Sequence, residues 1–176
     1  MKILLVEDCR FMARAIKQLL ENEDHQVQWI VGVRHRADDQ SMQIVGLDQD
    51  GHSQVSISPQ DYDLAIVDGQ LEGDLEGPQV VQSLRLANVK LAILAISTEE
   101  KLNADMVQNG AVFSLRKPCF FTALHSGVLN VRQVRRLKAI KRLALKRMEA
   151  NLASDDYKSV RKSADLFVMP YLQEEA

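Results

Sequence analysis

The stretch Leu64–Gly77, "LAIVDGQLEGDLEG", sets four apolar residues directly against an aspartate, Asp68, and then opens into a loop of acids and glycines. A short apolar run bounded by turn residues reads as a strand buried on both faces. Such strands belong to parallel sheets covered by helices, and in those sheets ligands sit beyond the carboxyl ends of the strands. Asp68 stands at that end, so it is the first candidate site residue.

Working outward, the same grammar repeats. "KILLV" (Lys2–Val6), "VQWIV" (Val27–Val31), "LAILAI" (Leu91–Ile96) and "VFSLR" (Val112–Arg116) read as further buried strands. Between them lie helical patterns. Met12, Ile16 and Leu19/Leu20 recur at helical spacing after the first strand. Pro78 stands as a first-turn proline ahead of Val80, Val81 and Leu84, and Asn109-Gly110 ends "TEEKLNADMVQNG". A long helical run starts after Pro118. The alternation predicts an α/β protein with a five-stranded, doubly wound parallel sheet.

Composition bounds the rest. The chain has 176 residues, a hydrophobic share of 46% and a net charge of −2, as expected of a soluble globular protein without a global field toward nucleic acid or lipid. No apolar run approaches a membrane span, and "MKILLVED" is too short and acid-ended for a signal peptide. Cys9 and Cys119 form no metal or disulfide pattern, which fits a reducing, cytoplasmic setting. They read as small apolar fillers. His25, His35, His52 and His125 share no ligating spacing.

Two segments break the alternation. Between the second and third strands, residues 33–60 hold alternating Met42/Ile44 and Val55/Ile57 around Asp50-Gly51, which predicts a β-hairpin where a helix would be regular. Asp48, Asp50 and His52 around its turn lack the spaced acids of a calcium loop, so turn chemistry is the expected role. The hairpin could cover a sheet edge or offer a strand to a partner. From Arg132 onward, basic residues gather on one arc of a helix and Val134, Leu137, Ile140 and Met148 on the other. A second helix then starts at Ser154 and ends at Pro170. Residues 1–131 are thus expected to form one domain, with 132–176 a helical hairpin extension.

Four strand ends carry polar residues that a parallel sheet would bring to one rim: Glu7-Asp8, Asp68, Ser97 and Lys117-Pro118. Crowded carboxylates need a counter-charge, and a hard divalent cation such as Mg²⁺ supplies it. A carboxylate there can attack phosphorus, with the Ser97 hydroxyl and Lys117 ammonium binding the new oxygens. Taken singly, each residue also has a plainer role. Glu7-Asp8 would cap the first helix, Ser97 with Glu100 spells a capping box, Lys117 would be a solvated charge and Asp68 a turn residue.

As an ordered set, "LLVED", "LAIVDG", "LAIST" and "RKPCF" resemble the receiver domain of bacterial two-component response regulators. The resemblance implies a flavodoxin-like sheet of order 2-1-3-4-5, and phosphorylation of Asp68 by a sensor histidine kinase or phosphotransfer protein. It implies Mg²⁺ held by Glu7, Asp8, Asp68 and the backbone carbonyl of Gln70, a switch role for Ser97, a phosphate-binding role for Lys117 and a cis Lys117–Pro118 bond. Two departures stand out. The loop after Asp68 lacks the family's proline and is slightly long. Ser114 occupies the position, three before the lysine, where an aromatic is usual, and Phe113 next to it points to the other face.

The expected function is a phospho-accepting switch acting through protein contacts, not a metabolic enzyme: no glycine-rich phosphate loop or nucleophile elbow is present. Its catalysis would be self-directed. No DNA-binding or second-messenger module is recognisable after residue 131, and a homodimer through the tail helices is expected. The competing functions are a phosphorylation-independent scaffold and nucleic-acid or membrane binding through the basic tail helix.

Overall fold

The computed structural model describes residues 1–35, 44–48, 53–71, 73–125, 131 and 134. The chain divides into two units, Met1–Thr122 and Ala123–Ala176. The expected tail hairpin from Arg132 onward lies, but for Val134, outside the described residues.

In chain order the elements are β1 (Lys2–Val6), α1 (Arg10–Asn22), β2 (Gln26–Ile30), β3 (Gly32–His35), β4 (Ile44–Leu47), β5 (Gln54–Ile57), β6 (Leu64–Asp68), α2 (Gly77–Ala87), β7 (Ala92–Ser97), α3 (Glu100–Gln108), β8 (Phe113–Arg116) and α4 (Lys117–His125). One sheet has the order β2-β1-β6-β7-β8, with every neighbouring pair parallel. Counted among the parallel strands alone, this is the expected 2-1-3-4-5. The strands β6 and β7 are buried at every residue, as continuous apolar runs require when both faces are covered.

The covering layers follow from periodicity. Ala13, Ile16 and Leu20 form the buried stripe of α1, one step away from the expected Met12 and Leu19, which are half-buried. On α2, Val80, Val81 and Leu84 are fully buried, and Pro78 sits in the first turn, where its missing N–H breaks no helical bond. The C-cap of α3 is Asn109, and Gly110 beyond it takes φ +114°, a conformation glycine adopts without penalty.

The insert is more than a hairpin. β4 and β5 pair antiparallel as expected, but β3, only one residue after β2, pairs with β4 to make a three-stranded sheet. Val31 N–H donates to Leu47 O at 3.0 Å, so the chain bends out of the first sheet straight into the second. Val33, Ile44 and Ile57 join Leu4, Val6, Ala65, Val80 and Leu84 in one apolar cluster. The small sheet thus lies with α2 over the same face of the large one, doing by β-branched side chains what a helix does elsewhere. Gly46 permits the close approach: a Cβ there would stand 2.9 Å from Ile30 Cγ2. Asp48 N–H donates to Ser53 O at 2.9 Å, and Asp48 Oδ1 accepts from Ser53 N–H at 3.2 Å. Asp48 therefore has turn chemistry, while Asp50-Gly51 lies outside the described residues.

Two expectations are corrected, and one of the plainer alternatives is removed. Cys9 and Cys119 are exposed and fill no interior space. The helix after β7 is capped at Glu99 without a side-chain bond, so Ser97 is not the first member of a capping box but the last residue of β7. Among the described residues no peptide bond is cis: Lys117–Pro118 is trans, and α4 starts at Lys117 with the proline in its first turn.

Candidate phospho-acceptor site

The carboxyl ends of β1, β6, β7 and β8 converge on one rim. Glu7 and Asp8 follow β1, Asp68 closes β6, Ser97 closes β7 and Lys117 follows β8. Glu7 does not cap α1, whose N-cap is Cys9 without a side-chain bond. Instead its side chain is fully buried at the rim. Trp29 Nε1 donates to Glu7 O at 2.8 Å and Cys9 N–H to Glu7 Oε1 at 3.2 Å, fixing the turn from both sides.

Glu7, Asp8 and Asp68 each offer an oxygen within 4.8 Å of the others. Lys117 Nζ donates to Asp68 Oδ2 at 2.7 Å and to Glu7 Oε1 at 3.0 Å. The ammonium thus bonds two of the three clustered carboxyls. Burial, then the Asp68 charge, pushes Glu7 from 4.5 up to about 7 against the opposing pull of Lys117. Burial also raises Asp68, although Lys117 and the Gln70 N–H, 3.3 Å from Oδ1, oppose it. For Lys117 burial acts downward, but the bond to Asp68 and the charges of Glu7 and Asp68 prevail and raise it.

Glu7 Oε2 is buried and has no partner among the described residues. Buried acceptors are seldom left so, because desolvation without a bond is costly. An orphan carboxylate oxygen with two more carboxyls within reach makes an all-oxygen donor set. That set suits a hard divalent cation of the Mg²⁺ type.

Ser97 Oγ accepts from Glu99 N–H at 3.1 Å and is fully buried. It lies against the residue after Asp68: a Cβ on Gly69 would stand 2.7 Å from it. The loop that follows leaves and returns at one point, since Gly77 N–H donates to Gly69 O at 3.1 Å. The extra length of this loop is thus a closed excursion that leaves Asp68 in register. Gln70 Nε2 donates to Glu99 Oε1 at 2.6 Å across the mouth. Ser114 is half-buried on β8, paired with Ala95.

The side chains of Glu7, Asp8, Asp68 and Lys117 thus meet, and Ser97 lies beside Gly69, the residue after Asp68. Trp29, Gly77 and Glu99 join them without having been expected, because their roles depend on which strand ends and loops become neighbours.

No family model matches the chain, and no curated protein matches it. Solved structures do. The CheY-like response regulator receiver domain of Methanospirillum hungatei is 16% identical, with a TM-score of 0.53 over 78% of this chain and 96% of its own. A putative response regulator of Chloroflexus aurantiacus is 17% identical, TM-score 0.51, over 78% and 97%. The signal receiver domain of a putative Luxo repressor protein of Vibrio parahaemolyticus is 18% identical, TM-score 0.51, over 81% and 95%. The chain has the fold of response regulator receiver domains.

Proposed function

We propose that this chain is a phospho-accepting receiver, with Asp68 as acceptor. The observation that carries the reading is Lys117 bonded to both Asp68 and Glu7 inside a three-carboxyl cluster at the strand ends. Asp68 attacks the phosphorus of a phosphohistidine on a sensor kinase or phosphotransfer protein. The P–N bond breaks, the histidine nitrogen keeps the electron pair, and Asp68 becomes an acyl phosphate. Glu7, Asp8, Asp68 and the Gln70 carbonyl would hold Mg²⁺, which would supply positive charge to the phosphoryl oxygens. Lys117 moves its ammonium onto one of them, and Ser97 gives up its bond from Glu99 N–H to donate its hydroxyl to another. Hydrolysis of the acyl phosphate returns the carboxylate. Catalysis is therefore self-directed, and output runs through protein contacts, with a homodimer as one such contact. Among the described residues no helix is long and apolar enough to cross a membrane.

Trp29 is the single tryptophan and its ring N–H is bonded to Glu7 O, so its emission reads the site directly. Mg²⁺ should change Trp29 fluorescence saturably, and acetyl phosphate should change it again only with Mg²⁺ present. Both responses should vanish in Asp8→Asn/Asp68→Asn. Identical responses in that variant would refute the assignment and leave the phosphorylation-independent scaffold as the better reading.

A further inference from the structure

Asn103 is a buried polar residue on α3 that the phosphoryl chemistry above does not use. It is 5% exposed. Its Nδ2 donates to Ser97 O at 3.3 Å and to Leu115 O at 3.4 Å, so one amide spans the seam between the end of β7 and the middle of β8. A second path joins the same residues. Ser97 Oγ accepts from Glu99 N–H at 3.1 Å, and Glu99 O accepts from Asn103 N–H at 3.1 Å. Asn103 is thus tied to Ser97 through both its side chain and its helix turn, and to β8 through its side chain. The flanking pair on the seam, Ala95 and Ser114, offers no large side chain to transmit a movement.

Asn103 is also held imperfectly. Its Oδ1 is buried without a partner among the described residues. A half-satisfied buried amide has reason to exchange one bonding arrangement for another when its surroundings shift. Release of Glu99 N–H by Ser97 would loosen one of its two tethers.

We propose that Asn103 is the positioning residue that carries a change at Ser97 into β8. This rests on the phospho-acceptor reading. When Ser97 turns to a phosphoryl group on Asp68, the shared Nδ2 redistributes between Ser97 O and Leu115 O. The end of β8, next to Lys117, shifts with it. The rival link is Arg116 Nη2 to Thr98 O at 3.5 Å, an exposed contact at the limit of bonding distance.

The test combines intact mass with backbone amide spectra, with Mg²⁺ and acetyl phosphate, on the 176-residue wild type, Asn103→Leu, Asn103→Ala and Arg116→Ala. Wild type and all variants should gain one phosphoryl group. In wild type and Arg116→Ala the Leu115 amide should shift on phosphorylation, and in the Asn103 variants that shift should be lost. Two variants are used because the leucine fills the space and the alanine empties it, so one failing to fold leaves the other to decide. A phosphorylated Asn103 variant whose Leu115 shift equals that of wild type overturns the coupling alone, as does a wild type that phosphorylates without moving Leu115. A wild type that gains no phosphoryl group overturns the coupling together with the acceptor reading.

Discussion

Lys117 Nζ sits 2.7 Å from Asp68 Oδ2, although the two residues are 49 positions apart in the chain. The ammonium is the positive charge bonded to two of the three clustered carboxyls, and its side chain is only 13% exposed. Removing it strands buried negative charge. Breaking one partner of a buried pair costs roughly 3–5 kcal/mol, and partial exposure places this case toward or below the lower end. Lys117→Met should therefore lower the urea midpoint clearly at pH 8 and much less at pH 5, where the carboxyls take up protons instead.

Glu7 predicts a pH dependence of its own. Its carboxyl titrates at 4.5 ordinarily and at about 7 in the folded chain. The folded state therefore holds the proton more tightly, so this contribution to stability is complete below 4.5 and is lost as pH rises toward about 7. Asp68, also raised, acts in the same sense. Without divalent cations, the unfolding free energy should fall between pH 5 and 8, and the slope should flatten in Glu7→Gln. Added Mg²⁺ should stabilise more at pH 8 than at pH 5, since it competes with protons for the same oxygens. An equal effect at both values would contradict the donor set.

Two glycines make the loop after Asp68 possible. A Cβ on Gly77 would collide with the Asp68 carbonyl oxygen and stand 2.6 Å from Gly69 Cα, both backbone atoms that cannot step aside. On Gly69 it would press on Ser97 Oγ at 2.7 Å and Cβ at 2.8 Å. Overpacking of this kind costs roughly 1–3 kcal/mol. Gly77→Ala should show the larger loss in thermal unfolding. Gly69→Ala should fold better but, on the proposed mechanism, accept phosphate more slowly, because its methyl would crowd the Ser97 hydroxyl.

The small sheet belongs to the main core. Ile57 is 4% exposed and clusters with Leu4, Val6 and Val80. Ile57→Ala should cost about 2–5 kcal/mol, whereas Ser56→Ala, at an exposed position beside it, should be nearly neutral. Chemical denaturation should show one transition for both. A separate early transition in Ile57→Ala would mean that the insert is independent.

The parallel sheet was legible because its strands are unbroken apolar runs with helical periods between them, and five such runs admit few arrangements. The carboxyl–lysine cluster was legible for the same reason: in a parallel sheet, the residue after each apolar run reaches the same rim, which brings Glu7, Asp8, Asp68 and Lys117 together and sets Ser97 beside Gly69. β3 escaped because Gly32–His35 carries Arg34 and His35 and no alternation, and it becomes a strand only by pairing with β4. Ser97 and Glu100 match a capping box by spacing, yet the strand runs one residue further than its apolar letters and the cap moves to Glu99. The two cysteines are small and apolar by type, but both fall at helix starts facing outward. Asn103 and Trp29 carry no local signal, since their partners lie on other elements.

The central claim is that Asp68 accepts a phosphoryl group with the help of a divalent cation. Intact mass after incubation with acetyl phosphate and Mg²⁺ tests it most directly, on wild type and Asp68→Asn. A gain of one phosphoryl group in wild type, absent without Mg²⁺ and absent in the variant, is the predicted result. A wild type whose mass stays unchanged, under conditions that load a control receiver domain, would contradict it.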